Sequence, residues 1–67
     1  MKIKYDQEVD VLLIALSDSA VHESDESKPG IILDYDEAGN IVRIEIIDAS
    51  KRTGTPFKFE YEMVSGE

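Results

Sequence analysis

This sequence predicts a mainly β domain, an antiparallel β-meander of five or six strands with one short helical turn. Three observations lead there. Apolar and polar residues alternate with period two through most of the chain, and no long segment keeps a helical period. Glycine and proline fall between the alternating runs, at Pro29-Gly30, Gly39-Asn40 and Gly54. Sixty-seven residues suffice for one domain (residues 1–67) but not for two.

The elements follow in order. In "KIKY" Ile3 and Tyr5 share one face and the lysines the other. "DQE" turns the chain into "VDVLLIALS", a second strand. Leu12, Ile14 and Leu16 line one side of it, and Val9, Val11, Leu13 and Ala15 the other. Both sides are apolar, so the strand should be central and covered twice, the second time by a partner or by the C-terminal segment. "AVHESDES" is polar and suits a short edge strand protected by charge. After Pro29-Gly30, Ile31, Leu33 and Tyr35 alternate, and Val42, Ile44 and Ile46 do so after the next turn. A hairpin with these six on one face leaves Asp34, Asp36, Arg43 and Glu45 on the other. A one-residue slip would exchange the two sets, so the register is specified. Gly39-Asn40 is expected to supply positive φ angles at the reversal.

"DASKR" then reads as a helical turn over Asp48–Arg52, with Asp48 as its N-cap and Lys51 and Arg52 at its C-terminal end. In "PFKFEYEMV" Phe57, Phe59, Tyr61 and Met63 alternate with Lys58, Glu60 and Glu62, which predicts a last strand. The competing reading makes Thr55 a cap and Pro56 the first residue of a helix.

Composition narrows function by exclusion. The chain has no cysteine, which removes disulfides and thiolate metal sites. Its longest apolar run, Val11 to Leu16, is too short to cross a membrane, and no leader pattern appears, so a cytoplasmic location is expected. Fifteen acids oppose seven bases for a net charge of −8. Residues 1–37 hold ten of the acids and only three of the bases. Such a surface repels nucleic acid and anionic membranes and attracts basic proteins. Lys51-Arg52 is the one basic pair, too little for nucleic-acid binding.

Candidate chemistry is sparse. Asp34, Asp36, Gly39 and Glu45 match the first, third, sixth and twelfth positions of a calcium loop. That loop needs flanking helices and usually Asp or Asn fifth; here strands flank it and Ala38 is fifth, so the hairpin is preferred and no metal or cofactor is expected. His22, the single histidine, lies in a polar stretch and suits the surface. The acid groups Asp6/Glu8/Asp10, Glu23/Asp25/Glu26 and Asp34/Asp36/Glu37 fall in turns or the edge strand, where solvated carboxylates are expected. With one histidine and scattered glycines, neither a triad nor a phosphate loop is indicated, and no catalytic residue is assigned.

At "KIKYD … DVLLIALSD … PGIILDYDEAGNIVRIEIIDASKR" the chain resembles the small prokaryotic family catalogued as domain of unknown function 2283. Gly30, "DYDEAGN", "IEI" and "DAS", in that order and spacing, carry the likeness, which runs from Lys2 to about Arg52. It implies a compact, mainly β domain with no established activity or catalytic residue. Members noted beside small toxin-like genes make an antitoxin role thinkable. Gln7 stands where proline is common, Leu13 and Ala15 where relatives carry an aromatic or polar residue, and the tail after Arg52 follows no family pattern. The expected function is a non-catalytic acidic interaction module, self-associating as a homodimer. The alternatives are an antitoxin-like inhibitor of a basic ribonuclease-type toxin and weak divalent-metal binding through residues 34–45.

Overall fold

A computed structural model describes residues 1–54 and 58–66. Five strands, β1 (Lys2–Asp6), β2 (Val11–Ala15), β3 (Glu23–Lys28), β4 (Ile31–Tyr35) and β5 (Ile41–Ile47), form one antiparallel sheet, and α1 (Ala49–Thr53) follows. The predicted class, mainly β with one short helix, is the observed one.

The order across the sheet is β1-β2-β5-β4-β3. A strict meander would place β3 beside β2, and this connection departs from it. Residues 16–22 carry the chain past two strands to the far edge, and β5 returns to pair with β2. The reason lies in composition. β2 is apolar on both sides and needs an apolar neighbour, which Ile44 and Ile46 of β5 supply opposite Ile14 and Leu12. β3, "ESDESK", has all six residues exposed and would leave β2 unmatched.

The β4–β5 hairpin pairs as its alternation demands from Ile31 to Asp34, with Leu33 opposite Ile44 and Asp34 opposite Arg43; a register shift after Asp34 then sets Tyr35 opposite Ile41. Gly39 takes φ 89° in the turn, but Asn40 does not take a positive φ. The β3–β4 turn uses Gly30 at φ 82°. A side chain at Gly30 would meet the Arg52 guanidinium as well as backbone strain.

Three further sequence expectations change. Val9 lies in the β1–β2 turn, 58% exposed, and not in β2. α1 begins one residue later than predicted, with Asp48 in the left-handed region at φ 56° and no cap bond from its side chain. Residues 58–66 form neither the predicted strand nor a helix, and Tyr61 and Met63 are largely exposed. The expectation for Thr55, Pro56 and Phe57 lies outside the described residues.

Burial is shallow. Leu12, Val42 and Ala49 are the buried apolar residues among those described, and the molecule measures 34 × 32 × 19 Å. The remaining side chains of β2, β4 and β5 are mostly half-buried. That is the profile of one sheet with one short helix, with no second layer among the described residues.

Leu12→Ala should therefore cost about 2 kcal/mol, the lower end for a buried leucine, because the thin sheet can relax around the cavity. Leu13→Ala, at a half-buried site on the other side, should cost less. Urea unfolding of both variants checks the order, which an equal loss would contradict.

Candidate functional site

The acids of this chain fold into the backbone more than they gather into a site. Asp10 is the clearest case. It ends the β1–β2 turn at φ 58°, a conformation that aspartate tolerates better than most residues. Its Oδ1 accepts from the Tyr5 hydroxyl at 2.6 Å and from the Ser50 amide at 3.0 Å. Its Oδ2 accepts from Ser50 Oγ at 2.8 Å, and its carbonyl accepts from the Ala49 amide at 3.0 Å. Two free amides at the start of α1 are thus satisfied from forty residues away. The Tyr5 hydroxyl first, then the Ser50 hydroxyl and amide, hold the Asp10 carboxyl below its ordinary pKa. The same bond to Asp10, then burial and the nearby charges, raises Tyr5.

Sequence reasoning placed Asp10 among solvated acids and gave the cap to Asp48. No local signal pointed to Asp10, because Asp48 directly precedes α1 and is the nearer acceptor.

The calcium-loop residues are dispersed to other tasks. Asp34 is buried, accepting from Ser24 Oγ at 2.6 Å on Oδ1 and from Arg43 Nε at 3.0 Å on Oδ2. Asp36 closes the turn: Oδ1 takes the Asn40 amide at 2.8 Å, and the backbones of the two residues also bond at 2.9 Å. The Asn40 amide is the main cause that lowers Asp36 from its ordinary carboxyl value. Glu45 stands on β5 opposite Leu13 and Ile32. Among the described residues no three acids or histidines come together as metal ligands.

The other candidates separate likewise. Asp6 accepts from the Glu8 amide, and Glu26 accepts from the Gly30 amide at the β3–β4 turn. Exposed His22 donates its backbone amide to the Tyr35 carbonyl at 2.7 Å. The Arg52 guanidinium donates to the Pro29 carbonyl, pinning α1 to that same turn. One open groove, lined by Lys4, Asp6, Val9, Val11, Leu13 and Glu45, marks the second side of β2. Charge and apolar surface are mixed there. Within the described residues, no helix is long and apolar enough to cross a membrane.

A family model described as protein of unknown function (DUF2283) matches residues 2–50. The chain belongs to that family. The matched span takes in all five strands together with Tyr5, Asp10 and Ser50, and leaves the C-terminal segment outside. None of the curated proteins and none of the solved structures matches.

Two outcomes test this account. The folded Asp10 carboxyl lies below the value of about 3.9 that it recovers on unfolding. Its contribution to stability is then complete above that value and is lost as pH falls through the lowered folded pKa. Asp10→Asn should lower the urea midpoint at pH 7 and flatten the loss of stability below about pH 4; an unchanged acid limb would contradict the assignment. Separately, millimolar calcium or magnesium should raise the melting temperature no further than matched ionic strength does. A specific rise abolished by Asp34→Asn would restore the metal reading.

Proposed function

We propose that the protein is a small acidic interaction module that self-associates as a homodimer, with binding and not catalysis as its role. The observation that carries this is surface. The chain exposes 5313 Å². A compact monomer of 7.5 kDa exposes roughly 4,200 Å². The excess, on the order of 1,000 Å², is comparable to the roughly 800 Å² that each partner contributes to a standard interface. Exposed apolar side chains make up part of it: Ile3, Val9, Phe59, Tyr61, Met63 and Val64. The polar clusters around Asp10 and Asp34 support binding over chemistry, since their members already satisfy one another.

A basic protein partner, as in an antitoxin-like inhibitor, is a second reading. What favours it is β3, an outer strand whose Glu23, Asp25 and Glu26 are all exposed on a chain of net charge −8.

Sedimentation equilibrium of the full chain from micromolar to millimolar concentration should show a reversible monomer–dimer equilibrium. A monomer throughout the range would end the self-association reading. A stoichiometric basic protein captured from the native host would then favour the second.

A further inference from the structure

Building on the self-association reading, we propose that residues 58–62 of one copy add as a strand to the outer edge of β1 in a second copy, and that the exchange is reciprocal. The observation is an alternating segment without a ladder. Lys58, Glu60 and Glu62 alternate with Phe59 and Tyr61, the pattern of a strand with one apolar side, yet the segment is in no strand and its side chains are exposed. Tyr61 is 80% exposed and Phe59 48%. An extended segment of this kind is completed by a sheet edge, where main-chain bonds supply affinity and alternate side chains supply specificity.

The sheet has two edges, β1 and β3. β3 is a poor acceptor. Its acids lie on both faces, at Glu23 and Asp25 on one and Glu26 on the other, and its register is irregular between Glu26 and Lys28. Either orientation would set the aromatic row of the incoming strand against carboxylates.

β1 offers the complement. Lys2, Lys4 and Asp6 alternate with Ile3 and Tyr5, and Ile3 is 42% exposed. One antiparallel register places Lys58 opposite Asp6, Phe59 opposite Tyr5, Glu60 opposite Lys4, Tyr61 opposite Ile3 and Glu62 opposite Lys2. All three charged pairs are then of opposite sign on one face, and both apolar pairs share the other. Opposite charges and aromatic–aliphatic pairs placed directly across a ladder are each favourable. The pairing uses the outward backbone of β1 and leaves the Tyr5–Asp10 hydrogen bond in place. Two such exchanges around a two-fold axis close the assembly and cover both exposed β1 edges.

The absence of cysteine makes a clean test possible. Full-length chains carrying Ile3→Cys and chains carrying Tyr61→Cys are mixed and oxidised under native conditions. Directly opposed residues lie within reach of a disulfide. A covalent heterodimer is expected, and it should not form in denaturing urea. Lys4→Glu should weaken the dimer about tenfold or more, because it reverses two cross-strand pairs per dimer; Glu60→Lys in the same chain should restore it. Lys28→Glu, the same charge change on the opposite edge, should leave the dimer unchanged.

A wild-type dimer that neither cross-links nor responds to Lys4→Glu would overturn the exchange while leaving self-association intact. A single chain carrying both cysteines that closes on itself as a monomer would overturn it too, by placing the segment on its own β1. A wild type that is monomeric at every concentration removes the exchange together with the dimer.

Discussion

One sheet, one layer deep, is the constraint from which the rest of this molecule follows. Among the described residues five strands and one short helix are present and no second sheet, so most apolar side chains of β2 and β5 stop at half-burial. Burial contributes about 25 cal/mol for each Å² of apolar surface removed from water, so half-burial forfeits a large part of that gain. The buried apolar side chains among the described residues, Leu12, Val42 and Ala49, lie in the middle of the sheet and at the foot of α1. β5 holds the centre because it is the longest strand and meets apolar neighbours on both sides, in β2 and β4.

A fold with so little core is held at its turns by hydrogen bonds, and here the acids make them. Asp6 and Asp36 each accept an amide within their own turn. Glu26 closes the β3–β4 turn, and Asp34 joins β3 to β5 through Ser24 and Arg43. Asp10 binds β1, its own turn and α1 at one carboxylate. Hydrogen bonds to charged groups contribute more than neutral ones, while their removal leaves partners unsatisfied. The acids behind the −8 net charge therefore have a structural role. The lowered pKa values of Asp10 and Asp36 are its electrostatic trace.

How much of this was legible in the sequence depended on range. The β4–β5 hairpin could be read, with its register from Ile31 to Asp34, because alternation, Gly39 and the opposed Asp34 and Arg43 all lie within sixteen residues; the shift that sets Tyr35 opposite Ile41 breaks the alternation and was not legible. Pro29-Gly30 and the charged edge strand were legible for the same local reason. The β2–β5 pairing was not, since alternation says which face a residue takes and not which strand lies beside it. Asp10 and Ser50 meet across forty residues, and the nearer Asp48 offered the cap that propensity favours. Asp48 instead takes the left-handed turn between β5 and α1.

The C-terminal segment shows a different limit. Its alternation is as regular as that of β4, yet residues 58–66 carry no strand. Periodicity describes a side-chain pattern suited to a ladder, and a ladder also requires a partner strand in the correct register. For β4 that partner follows within a few residues, after a turn that fixes the pairing. For residues 58–62 the described structure of the same chain supplies none, though β1 carries a matching row of charges and apolar groups. A thin sheet with a charge-matched edge and an alternating segment outside any ladder has its unmet surface in two complementary pieces. Association of the kind proposed would satisfy both at once, at the entropic cost of ordering a few residues.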